Sequence, residues 1–124
     1  MKKIIFTIML VAMIGCSNIT FDGLQYDRYI SLHETASKLK EQCGHPLMKN
    51  KIQDLKLHTD HMNMYAKLRS NSPEVLVVTD SLTSMVDEMN SRYAESAPSV
   101  AYCQEKLNNI AAGSHTVAAT LGAQ

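Results

Sequence analysis

From residue 27 onward, apolar residues recur at alternating steps of three and four. Tyr29, Leu32, Ala36, Leu39 and Cys43 form one such line, and Val75, Val78, Leu82, Met85 and Met89 form another. Val100, Cys103, Leu107, Ile110, Ser114, Val117 and Leu121 repeat it near the end of the chain. Met48, Ile52, Leu55, Thr59, Met62 and Ala66 keep the same spacing with one polar interruption. This period gives each segment a narrow apolar seam, as in helices packed side by side. Prolines at 46, 73 and 98 divide the segments. Proline suits a first helical position, where its missing N–H has no helical partner anyway. Ser72 before Pro73-Glu74 reads as an N-cap with an acid in the first turn. Gly44 suits the left-handed residue that ends a helix. The pattern predicts helices over about 27–43, 46–69, 73–94 and 98–121. Only Val75-Leu76-Val77-Val78 offers a strand, and its Ser-Pro-Glu start and continuing period favour helix. The expected fold is all-α, an up-down-up-down four-helix bundle.

Residues 17–26 show no helical period. They read as a tether reaching at most about 35 Å, with the alternative that Phe21, Leu24 and Tyr26 pack back on the bundle. Before them, Lys2-Lys3 leads into an apolar run ending in Gly15-Cys16. That is the layout of a secretory signal peptide, too short to span a bilayer. A cysteine at the first mature position resembles the lipobox of bacterial lipoproteins, with Met13 where Leu is commonest. The resemblance implies cleavage after Gly15 and a diacylglycerol thioether on Cys16. The expected organisation is a signal peptide over 1–15, a lipidated N-terminus and tether over 16–26, and a helical domain over 27–124.

Cleavage leaves 109 of the 124 residues, enough for one domain with a modest core. Without Lys2 and Lys3, 10 basic residues face 12 acidic ones, a net charge of −2. This balance, with no basic cluster, argues against a nucleic-acid partner and against electrostatic adhesion to anionic lipid. Attachment to a membrane would come from the acyl chains. Export also places the thiols in an oxidising compartment. With Cys16 lipidated, Cys43 and Cys103 remain and allow a single pairing. In the expected topology the first helix ends where the fourth begins, which brings these two cysteines together. A disulfide is therefore expected, against the alternative of two buried thiols.

Candidate chemistry is sparse. His58, His61, Met62 and Met64 lie on two turns of the second helix, and imidazole with thioether suits copper. No spaced partner motif completes the site, and the bland alternative is a polar patch. His115 and Met48 are a conceivable haem pair without an attachment motif. His33 and His45 are expected to face solvent. No serine sits in a nucleophile elbow, no glycine-rich phosphate loop occurs, and Asp87-Glu88 point to different helix faces. An enzyme is not expected, and neither is a cofactor.

The second helix carries a second line, Leu57, His61, Met64 and Leu68. Leu57 stands about 200° round the helix from Leu55. Leu76 and Val77 likewise leave the seam of the third helix. Either these helices are buried on both sides, or they keep an exposed apolar groove for an amphipathic helix of a partner.

The layout resembles the small α-helical pilotin lipoproteins of type II secretion systems. The matching stretches are Leu39-Lys40-Glu41-Gln42-Cys43 and Ala97-Pro98-Ser99-Val100-Ala101-Tyr102-Cys103-Gln104-Glu105-Lys106-Leu107-Asn108. The resemblance implies a helical groove that takes the C-terminal segment of a secretin, an envelope protein, and a lipid that carries the complex to the outer membrane. Ser17 fits that destination, since an Asp after the lipidated cysteine favours the inner membrane in many Gram-negative bacteria. The periplasmic face of the outer membrane is the expected location. The alternatives are an exclusion or inhibitor lipoprotein of a phage or plasmid, the copper-binding protein, and a structural envelope lipoprotein with no specific ligand.

Overall fold

Asp22 opens the first helix. In the computed structural model, which describes residues 22–69 and 72–122, its side chain accepts a hydrogen bond from the Gln25 N–H. Helix α1 runs over Gly23–Lys40, α2 over Met48–Arg69, α3 over Pro73–Glu95 and α4 over Val100–Gly122. Among the described residues no strand forms. The expected signal peptide, Cys16 with its expected lipid, and Phe21 lie outside the described residues.

The four helices form a closed ring in which each touches its two neighbours. The closest pairs are α1 with α4 and α2 with α3; α1 and α2 approach least. The fold is therefore the expected up-down-up-down bundle. Cys43 and Cys103 are joined, with sulfurs 2.09 Å and Cα atoms 5.9 Å apart. No described helix is long and apolar enough to cross a membrane.

The helix ends depart from the expectation in instructive ways. α1 begins four residues early, because Asp22 caps it and Gly23 to Tyr26 form its first turn. Of the expected tether, residues 23–26 thus belong to α1; five residues lie between Cys16 and Asp22, a span of at most about 21 Å. Tyr26 does pack on the core, whereas Leu24 is half exposed. At its other end α1 stops at Lys40, and Cys43 lies in the following turn. Gly44 closes that turn at a positive φ of 94°. The positive φ favours glycine, and a β-carbon there would also stand a tight 3.2 Å from Val100 Cγ2. Ser72 and Pro73 start α3 as expected. Pro46 and Pro98, by contrast, stand two residues before their helices. Ser99 Oγ accepts from the Tyr102 N–H at 3.1 Å and caps α4 in place of the proline.

The core follows the seams on α1, α2 and α4, with Val100 excepted because it sits at the exposed first turn. On α3 the buried line is Val75, Thr79, Leu82, Thr83, Val86, Met89 and Tyr93. Val78 and Met85, expected in the seam, are only partly buried at its edge. The cause is the hydroxyl chemistry of threonine. Thr79 donates to the Val75 carbonyl at 2.6 Å and Thr83 to the Thr79 carbonyl at 2.9 Å. Each thus satisfies its polar atom within its own helix and buries its methyl. Tyr29 crosses the core diagonally from α1 to bond the Thr79 hydroxyl. Burial pushes the Tyr29 phenol above its ordinary pKa, against the opposing hydrogen bonds of Thr79 and Gln25.

Candidate functional site

Helix α2 has two apolar faces because two apolar lines share one helix. Met48, Ile52, Leu55, Met62 and Ala66 are buried, and Thr59 joins them by donating to the Lys56 carbonyl at 3.0 Å. The other line faces outward. Leu57 is 68%, Met64 63% and Leu68 78% exposed, and His61 is exposed between them. The burial alternative for this stripe therefore fails. At such exposures the side chains stand out as a ridge and do not line a groove. On α3, Val77 is exposed and Leu76 half-buried.

What borders the ridge gives it shape. Toward α3, Lys56 pairs with Asp60 at 2.8 Å and with Asp87 at 3.0 Å, and Lys67 approaches Asp80 at 3.8 Å. These pairs fix the α2–α3 side as a polar rim, although each contributes little to stability in water. Toward α1 the loose contact between the two helices opens a cleft of about 280 Å³. Leu39 and Leu55 form its apolar floor, and Thr35, Lys51, Asp54 and His58 its polar walls. His58 follows Leu57 directly and precedes His61 by one turn, so the cleft wall and the ridge adjoin.

His58 is the least solvated titratable group of this surface. Its Nε2 is buried and has no hydrogen-bond partner. Burial pulls its pKa below the ordinary value, against the opposing pull of the Arg28 backbone carbonyl. Away from the cleft, the start of α1 is tied to the end of α2. The Tyr65 hydroxyl donates to Asp22 Oδ2 at 2.7 Å, and the Arg28 guanidinium lies 5.3 Å from the Tyr65 ring centroid. Burial would raise the Asp22 pKa, but the bonds from Tyr65 and the Gln25 N–H, helped by Arg69, hold it below the ordinary value.

The other candidates are scattered. Met62 is in the core, Met64 is on the outer ridge and His58 faces the cleft, so the copper set His58, His61, Met62 and Met64 does not converge. Among the described residues no three His, Cys, Asp or Glu side chains are grouped to share a metal ion. Met48 is buried at the start of α2, and His115 is exposed two turns before the end of α4. The up-down topology puts Met48 at the end of the bundle where α4 starts and His115 about four turns along α4, so they form no haem pair. Asp87 reaches α2 through Lys56, whereas Glu88 reaches α4 through Lys106 at 3.4 Å, which separates the adjacent carboxylates as expected. His45 is exposed, its Nδ1 accepting from the Leu47 N–H. His33 does not simply face solvent: it is half-buried against α4, with Nδ1 2.8 Å from the Ala111 carbonyl.

Compared with known proteins, the chain matches no family, no curated protein and no solved structure. The surface of α2 must be read from its own chemistry. The ridge was legible as a period in the sequence. The cleft was not, because Thr35, Lys51 and Asp54 carry no pattern of their own and Leu39 reads only as part of the core seam. Its signal lies in the packing of α1 against α2.

Proposed function

We propose that the protein is a lipid-anchored helical binding module of the bacterial envelope, attached through Cys16 to the periplasmic face of the outer membrane. Its guest is an amphipathic helix formed by the C-terminal segment of a secretin, as the pilotin-like layout implies. The observation that carries this reading is the exposed line Leu57, Met64 and Leu68 on the face of α2 opposite the core. Exposed apolar residues scattered singly need no explanation. Three on one helical line, one of them a methionine, do. Covering a side chain of this size contributes roughly 1.5–3 kcal/mol, so a partner gains by lying along the ridge. Methionine supplies adaptable contact surface at such a site.

The bordering features suit a helix as guest. Its apolar face would meet the ridge, while its flanks meet Lys51 and Asp54 on one side and the Lys56–Asp87 rim on the other. The short chain between Cys16 and Asp22 would hold this surface close to the lipid. Anchor and surface then act together: the surface selects the client and the acyl chains set its destination.

The direct test is calorimetric titration of the protein with a synthetic peptide of the C-terminal segment of the secretin from the same bacterium. Saturable binding with a helical circular-dichroism signal appearing in the peptide is the expected result. Leu57→Asp with Met64→Asp is expected to weaken it at least tenfold, equivalent to about 1.4 kcal/mol. No heat and no peptide helicity, or equal binding by the double variant, would remove this reading.

A further inference from the structure

The seam between α1 and α4 holds a pair of histidines that the binding surface on α2 does not use. The two antiparallel helices meet in a register that repeats every seven residues. Tyr26 lies against Gly122, His33 against His115, and Lys40 against Asn108. At the middle step the His33 and His115 ring centroids are 5.3 Å apart, with the ring planes 55° from parallel.

We propose that His33 and His115 form a surface site for one borderline divalent cation, Zn(II) or Cu(II), bridging α1 and α4. Three observations carry it. The first is distance. At metal–nitrogen bonds of about 2.0–2.1 Å, two imidazoles on one tetrahedral ion hold their centroids roughly 5 Å apart. The observed separation matches that without movement of either helix. The second is the tautomer of His33. A backbone carbonyl only accepts hydrogen bonds, so the Nδ1 that lies 2.8 Å from the Ala111 carbonyl carries the proton. In the neutral ring the lone pair then sits on Nε2. An N–H held by a carbonyl is the usual outer support of a metal-bound histidine, since it fixes the ring and raises its basicity. The third is access. His115 is exposed and His33 half-buried, so an ion reaches the pair from solvent and water completes its coordination.

The charged group nearest along the seam is Lys40, one heptad away, and its Nζ is turned toward Asn108 Oδ1 at 3.4 Å. The site is separate from the His58–His61 cluster on α2, since α1 and α4 alone supply it. Bound metal would clamp the two helices that the disulfide already joins at one end.

The test is Zn(II) titration of the full lipidated protein in detergent, read by calorimetry and by the thermal midpoint. One ion per chain is expected. The midpoint is expected to rise by on the order of 10 °C at a hundredfold excess over Kd. His115→Ala, which changes an exposed residue, and His33→Ala are each expected to weaken binding at least tenfold. His58→Ala with His61→Ala is expected to leave it unchanged. Binding that survives His115→Ala, binding lost with His58 and His61 instead, or no heat and no midpoint shift at millimolar Zn(II) would each overturn the assignment.

Discussion

Replacing Cys43 and Cys103 together by alanine is expected to destabilise the domain by about 4 kcal/mol, through the loop entropy the unfolded chain regains. The bond spans 60 residues of sequence and includes all of α2 and α3 within its loop. It joins the turn after α1 to the first turns of α4, the two helices that pack most closely. Native packing there is retained in the variant, because Cys103 is wholly buried and alanine leaves only a small void. For a domain of about 100 residues this loss lowers the thermal midpoint by roughly 20 °C. Denaturant unfolding of the oxidised protein and the double variant measures it. Equal midpoints would mean that the helices hold the register alone.

The second large effect separates the two faces of α2. Ile52 is fully buried on the core face of α2, one turn from its start. Ile52→Ala is expected to cost about 3 kcal/mol, the sum of lost transfer energy and the cavity left behind. Leu57→Ala and Leu68→Ala, on the same helix, are expected to change stability by no more than about 0.5 kcal/mol. The contrast is informative because helix propensity is nearly the same for leucine and alanine. Urea midpoints of the three variants decide it. A loss at Leu57 comparable with that at Ile52 would mean that the outer line is core after all, and that the proposed binding surface does not exist.

Much of the fold was legible because its causes are local. The three–four spacing placed the seams of α1, α2 and α4, and Ser72-Pro73-Glu74 placed the start of α3 by capping chemistry alone. What stayed hidden depends on atoms beyond the hydrophobic letter code. Thr79 and Thr83 read as polar, yet they bury by returning their hydroxyls to carbonyls of the same helix. Asp22-Gly23 read as tether because the first turn of α1 has no apolar period; its signal is the cap, reinforced by Tyr65 from α2. The line of Leu57, Met64 and Leu68 was visible, but a period does not say whether a second apolar face meets another helix or water. Only the closed ring of four helices, which among the described residues leaves α2 no further helix as neighbour, decides that. The histidine seam needed the register between α1 and α4. That register was within reach once Cys43 was paired with Cys103. Counting ten residues back from Cys43 and ten forward from Cys103 brings His33 opposite Gly113, two residues short of His115.

The central claim is that the outer face of α2 holds a partner in the envelope. It is tested most directly by site-specific photo-crosslinking in living cells. A photoreactive residue is placed in turn at Leu57, Met64 and Leu68, and for comparison at exposed Glu34 on α1 and Glu105 on α4. One crosslinked envelope protein, the secretin, is expected at the three α2 positions and not at the other two. Crosslinks absent from α2, or equal at all five positions, would contradict it.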